Sequence, residues 1–204
     1  VVLLVAFGSV IAMLAPLVGA ILGVGVGILL IRLLATGMDV TSVAPAMASM
    51  IGIAVGIDYA LFVVTRHRQH LAYGHDPSRS IAMAINSAGR SVVFAGVTVM
   101  ISMLGLTLIG IPLITSMGVS VAITVAVAVL VAITFLPAML GLVGTHIDRL
   151  RTPFATVRAE IDPESTTAWS ARWARAVTAR PWAALAVGVP FLLVLAIPAL
   201  SLHT

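Results

Sequence analysis

Apolar runs of roughly membrane length, separated by short polar breaks, set the pattern of this chain. Crossing hydrocarbon as a helix takes about 20 apolar residues. Residues 17–35, 44–64, 82–110, 113–142 and 181–202 form such runs, and residues 1–14 read as the tail of another. The pattern predicts about six membrane spans, the first truncated, in an all-α polytopic transmembrane helical bundle. Pro16 falls between the first two runs and is read as the turn of a tight helical hairpin, with one long kinked helix as the alternative. The opening VVLLVAFGSVIAML has no basic n-region and no small-residue cleavage site. It therefore reads as the interior of a longer chain rather than as a signal peptide.

The breaks carry their own signals. Arg66-His67-Arg68 is read as terminating the third run, and a polar connection containing the turn signal Gly74-His75-Asp76-Pro77 follows as far as Ser80. Gly110-Ile111-Pro112 closes the fourth run, and Pro137 lies near the end of the fifth. The only long hydrophilic stretch is 145–180. Within it Trp169, Trp173 and Val177 recur every fourth residue, behind the candidate caps Ser165, Thr166 and Thr167. This spacing predicts a short interfacial helix, Trp toward the headgroups; a polar linker with an aromatic anchor is the alternative. The organisation is thus a helical region 1–143, a linker 144–180 and a further span in 181–204.

Composition decides what surrounds these helices. Hydrophobic residues make up 61% of the chain and charged residues 9%, whereas a soluble domain has about 25% charged residues. The surroundings are therefore largely lipid. The net charge of +4 does not indicate a nucleic-acid partner, because the arginines cluster between apolar runs. The connection after the third run holds Arg66, Arg68 and Arg79. The stretch before the last run holds Arg149, Arg151, Arg158, Arg172, Arg175 and Arg180, and the opposite side holds only Arg32, with Asp39. Two spans separate the two basic loops, so both lie on one side. The positive-inside rule makes loops 65–80 and 144–180 cytoplasmic. Cysteine is absent, which removes disulfides and thiolate chemistry.

Within the runs one acidic residue stands out. Asp58 lies eight residues before Arg66, about 12 Å at helical rise, which is close to mid-membrane. A charge there costs at least ~2.5–3.5 kcal/mol, so an acid in such a place points to an ion or proton path; the structural alternative is a protonated or paired carboxyl. On the same helix Pro45, Ser49, Gly52 and Gly56 form a narrow stripe, with Gly52 and Gly56 as a small-xxx-small packing contact. Asp58 shares another side with Ile51, Ala54, Val55 and Phe62, so protein neighbours are expected on at least two sides. Gly19, Gly23 and Gly27 form a packing ridge on the second span. Ser87, Ser91, Thr98, Ser102 and Gly105 line one side of the fourth span, either as a hydrated path beside Asp58 or as interhelical glue. Arg90 reads as a snorkelling anchor at the cytoplasmic interface. His67, His70, His75 and His146 read as residues of solvated loops, and no metal site is expected.

Several stretches resemble one family. Gly56-Ile57-Asp58-Tyr59-Ala60-Leu61-Phe62, followed by Thr65-Arg66-His67-Arg68, resembles the fourth transmembrane helix of the MmpL branch of the RND (resistance-nodulation-division) superfamily. Ala88-Gly89-Arg90-Ser91-Val92-Val93-Phe94 resembles the family's next helix. Leu136-Pro137-Ala138-Met139-Leu140 and the run from Ala174 to Trp182 also fit, so the resemblance covers essentially the whole chain in order. It implies that 1–143 are helices two to six of the first half and 181–204 is helix seven, opening the second half. It further implies an Asp-Tyr pair, here Asp58 and Tyr59, meeting a second pair on helix ten outside this chain. Phe62 corresponds to an aromatic position flanking that relay. One departure stands out: where the family often has a Ser after this stretch, the chain has Ala95-Gly96, leaving Thr98 or Ser91 as substitutes.

The resemblance implies a proton-motive-force-driven exporter of lipids or other hydrophobic compounds, in the cytoplasmic (inner) membrane of a bacterium. It would be a secondary active transporter and not an enzyme, with protons as coupling ion and no cofactor. Its partners would be membrane lipids, the hydrophobic substrate and the second half of the same transporter, with no nucleic acid; a homo-oligomer is an open alternative to a monomer. Asp58 would carry the proton and Tyr59 orient it. The rival reading is a non-transporting membrane sensor or scaffold with a sterol-sensing-domain-like bundle. An intramembrane aspartyl protease is disfavoured, since that chemistry needs two carboxylates sharing a proton and the other spans contain none.

Overall fold

The computed structural model of the chain describes residues 10–143, 177–182, 186 and 190. Residues 1–155 and 156–204 form separate compact units. In the first unit every described element is helical: α1 (Val10–Leu34), α2 (Ala44–Ala72), α3 (Pro77–Ala84), α4 (Arg90–Gly105), α5 (Pro112–Leu130) and α6 (Leu136–Val143). A π turn over Ile85–Gly89 fuses α3 to α4, a 3-10 turn over Leu106–Ile109 extends α4, and a second π turn over Val131–Phe135 fuses α5 to α6. Four of the resulting helices are long and apolar enough to cross a membrane. The all-α, multi-pass bundle predicted from the apolar runs is what these residues form.

Two boundaries differ from expectation. Pro16 does not make a hairpin: it lies inside α1, fully buried. A membrane helix tolerates such a proline because neighbours and local adjustments take care of the freed carbonyl. Nor does Arg66-His67-Arg68 end the third run's helix, which continues to Ala72. Charge ends a hydrophobic span, but Arg, Gln, Leu and Ala remain good helix formers. The interfacial helix expected around Trp169 and Trp173, His146 and most of the last span lie outside the described residues.

The turns follow from their sequences. Gly74 adopts φ 80° and Gly110 φ 74°, a left-handed conformation that glycine reaches without the Cβ penalty. Asp76 then caps α3, its carboxylate accepting from the Ser78 N–H at 3.2 Å, with Pro77 in the first turn. Pro112 opens α5 in the same way, in line with proline's preference for the first helical position.

α5 is the hub, packing on α1, α2 and α4, while α2 also packs on α1 and, lower down, on α3. The buried positions of α2 step by four: Ala44, Ala48, Gly52, Gly56, Ala60, Val64, Arg68. A regular helix turns about 100° per residue, so each such step overshoots by about 40°. The buried face of α2 accordingly moves from α1 and α5 onto α3. The next span steps the same way through Ser80, Ala84, Ala88, Val92 and Gly96. Its π turn widens one turn and takes back roughly a quarter revolution of the drift. The π turn after α5 also makes room for Pro137: the Leu136 N–H bonds to the Val131 carbonyl, five residues back, just before the proline that can donate no such bond.

Candidate functional site

Asp58 sits halfway along the 29 residues of α2, with its side chain exposed. It is the only acid within the four membrane-length helices. Among the described residues its carboxylate makes no hydrogen bond or ion pair. It heads an exposed stripe that continues through Phe62 and Arg66, where the Arg66 guanidinium carbon lies 5.8 Å from the centre of the Phe62 ring. α2 has the protein neighbours expected of it in α1, α5 and α3; its glycine side is packed and its Asp58 side is open among the described residues.

Tyr59, one residue on, points about 100° away from Asp58. It is half-buried and packs on the core formed by Ala60, Val63, Val92 and Val129. Its hydroxyl lies 3.6 Å from where a Cβ on Gly96 would stand, and that Cβ would overlap Val129 Cγ2. Gly96 therefore lets α2, α4 and α5 meet at the tyrosine. Sequence reasoning noted Gly96 only as part of a missing hydroxyl; its one further signal was a glycine inside a helical run.

Neither the substitutes for that hydroxyl, Ser91 and Thr98, nor Ser102 on the same stripe reaches inward. Ser91, Thr98 and Ser102 are all exposed, and each bonds a carbonyl four residues back: Ser91 to Ser87 (3.5 Å), Thr98 to Phe94 (2.9 Å), Ser102 to Thr98 (2.9 Å). Ser87 does the same to Met83 (3.0 Å). They neither bridge helices nor bond Asp58 or Tyr59. Arg90 is exposed at the first residue of α4.

The packing residues are where the spacing put them. A Cβ on Gly52 would overlap Thr124 Cγ2, and one on Gly56 would press on Ala20 Cα at 3.3 Å. Gly19 and Gly23 face Val131 and Ala128, and Gly27 faces Thr124. Thr124 is thus a wedge between α1 and α2.

Two polar groups were misread. His67 and Arg68 are buried, not loop residues in water. The four-residue step carries α2's inner face onto α3, where the Ser80 hydroxyl sits 3.0 Å from His67 Nδ1 and 2.7 Å from its carbonyl. The hydroxyls of α5 also went unremarked: Ser116, Ser120 and Thr124 are all buried. No group of three or more His, Asp or Glu suited to a metal occurs among the described residues.

Beyond this mid-helix acid and the seated tyrosine that follows it, comparison with known proteins settles the family. Residues 1–184 match the MMPL family. The chain belongs to the MMPL family. It is 39% identical over 203 residues to "Membrane protein YdfJ" of Bacillus subtilis, covering 100% of this chain and 27% of that protein. It is 36% identical over 202 residues to "Mycolic acid-containing lipids exporter MmpL11" of Mycolicibacterium smegmatis, covering 99% of this chain and 21% of the other. It is 31% identical over 160 residues to "Trehalose monomycolate exporter MmpL3" of Mycobacterium tuberculosis, covering 76% and 17%. The chain therefore spans about a quarter or less of the MMPL relatives it matches. The RND-type resemblance read from the Asp58-Tyr59 and Gly89-Arg90 motifs stands with this assignment.

Proposed function

We propose that this chain is the membrane core of one half of a proton-driven MMPL exporter, with Asp58 as the proton-carrying group and lipids or other hydrophobic compounds as cargo. The observation that carries the reading is the lone acid at the centre of a membrane-length helix, exposed on a face that the described residues leave open. A carboxyl in hydrocarbon is much cheaper neutral than charged, so binding and releasing a proton changes how readily this face can be buried. Such coupling between protonation and packing is what a proton-driven conformational cycle needs.

In this reading Tyr59 acts on Asp58 indirectly, by fixing α2 against α4 and α5 at Gly96. The partner of the open face would be the second half of the same transporter, bringing its own ionisable group. Export as the direction of movement is supported by the names of the Mycolicibacterium smegmatis MmpL11 and the Mycobacterium tuberculosis MmpL3, although the MmpL11 of Mycobacterium tuberculosis is named a heme uptake protein. The membrane would be the bacterial inner membrane, with the loop at Tyr73–Asp76 cytoplasmic by its flanking arginines.

The test is Asp58→Asn in the full-length protein, reconstituted with a lipid substrate. The variant keeps the shape and loses the titratable proton. Substrate export and substrate-dependent proton flux should both fall to background while thermal stability is unchanged. Undiminished proton flux would remove Asp58 from the mechanism.

A further inference from the structure

α5 carries a line of hydroxyls inside the bundle. Ser116, Ser120 and Thr124 recur every fourth residue and are all buried. α2 runs parallel to α5, and two contacts fix their register. Thr41 Oγ1 lies 2.9 Å from Ser116 Oγ, and Thr124 Cγ2 occupies the place of a Cβ on Gly52. The shared four-residue step then sets Ala48 level with Ser120, so small residues stand opposite the hydroxyls.

The hydroxyls of this line are not equally satisfied. Ser116 Oγ donates to the Leu113 carbonyl at 2.9 Å and accepts from the Thr41 N–H at 3.5 Å. Thr124 Oγ1 donates to the Ser120 carbonyl at 3.0 Å. Ser120 Oγ is different: its residue is 0% exposed, and the hydroxyl has no hydrogen-bond partner among the described residues. Serines and threonines inside helices commonly bond the carbonyl four residues back, as Ser87, Thr98, Ser102 and Thr124 do here. Ser120 departs from that habit. A buried hydroxyl left alone is costly, and buried water is the usual partner where polar groups converge.

We propose that Ser120 binds an internal water molecule, reached from the end of the bundle at Thr41 through Ser116, so that this line is a hydrated inlet into the membrane. Ser116, one turn toward the rim, is the next polar group along the line. Thr124 closes the inlet, because its methyl group is seated against Gly27 and Gly52. Ala48, level with Ser120, lies ten residues before Asp58, about 15 Å along the axis. The inlet therefore brings water to within about three turns of Asp58's depth, and its existence depends on no role for Asp58.

The chain contributes no cysteine of its own, and single cysteines are placed in a full-length protein whose remaining cysteines have been replaced. Ser120→Cys is compared with Val125→Cys, an equally buried position with apolar neighbours. The probe is Ag+, a hydrated ion small enough for a one-water path, and bound thiols are counted by mass after denaturing alkylation. Only thiolate reacts readily, and dry surroundings hold the proton on sulfur, so Ser120→Cys should react at least roughly tenfold faster than Val125→Cys. Ser116→Cys should react faster still, and Asp58→Asn should leave these rates unchanged even where it abolishes export. Equal rates at positions 120 and 125 overturn the proposal. Should Ser120→Cys fail to fold, an experimental map of the unaltered protein that resolves water decides. A water about 2.8 Å from Ser120 Oγ supports the inlet, whereas a Ser120 hydroxyl turned onto the Ser116 carbonyl with no water there overturns it.

Discussion

Gly52 shows how much one missing side chain can hold in place. The space its Cβ would need is filled by Thr124 Cγ2, and Val24 Cγ2 lies 3.1 Å from the same point. Neither neighbour is the far end of a flexible chain, so Gly52→Ala should overpack three helices at once and cost about 1–3 kcal/mol. Thr124→Ser removes the offending methyl group, and adding it to Gly52→Ala should recover most of the loss in thermal melts of the purified protein. A Gly52→Ala variant as stable as the parent would show that α2 and α5 can part without penalty. Gly52 and Gly56 were legible from the four-residue spacing, as was Asp58 from its isolation among apolar residues. His67 was not, because its neighbours Arg66, Arg68 and Gln69 give the composition of a solvated stretch. Only the drift of the buried face onto α3 buries it. Ser120 escaped for a related reason, since hydroxyl periodicity along one helix does not say which side faces inward.

At the scale of elements, turn chemistry was readable and helix regularity was not. Gly74-His75-Asp76-Pro77 was legible as a turn, but the polar connection expected to run to Ser80 ends sooner: the helix starts at Pro77, capped by Asp76. Its hydrogen bond from the Ser78 hydroxyl, followed by those from the Ser78 and Arg79 amides, holds its carboxyl below the ordinary value of 3.8. A depressed carboxylate stabilises the helix start above the unfolded pKa, and that contribution disappears as pH falls through the lowered value. Protection against amide exchange at Ser78, Arg79 and Ser80, taken relative to intrinsic rates, should therefore be greatest near neutrality, fall on acidification below about pH 4, and be low at every pH in Asp76→Ala. Equal protection in parent and variant would count against the cap. The interior of α1 was misjudged at Pro16, because a proline that would end a helix in water is accommodated among packed membrane helices. The π turns left no compositional signal beyond Pro137.

For the whole molecule, the order of spans follows from apolar length, and their sidedness is open to direct test. The connections Ala35–Val43, Tyr73–Asp76 and Gly110–Ile111 alternate between the two ends of the bundle, as four successive membrane-length helices require. If the arginine-rich end is cytoplasmic, Thr36→Cys and Ile111→Cys in intact cells should react with a membrane-impermeant maleimide. His75→Cys should react only after permeabilisation. Reversed labelling would invert the bundle and place Arg66 and Arg68 outside. The open flank at Asp58 was beyond the sequence's reach for a different reason. Exposure depends on what the rest of a longer protein brings against that face, and nothing in α2 itself encodes its neighbour.

The two π turns also bear on how this chain tolerates genetic change. A π turn is what an α-helix becomes when one residue is inserted without being refused. Within Ile85–Gly89 or Val131–Phe135, gain or loss of a single codon acts less as a change in length than as a rotation. It turns one end of a span by roughly 100° against the other. Ser80 meets His67 on one side of the first turn and Gly96 meets Val129 on the other, so the extra residue sets the phase between these two contacts.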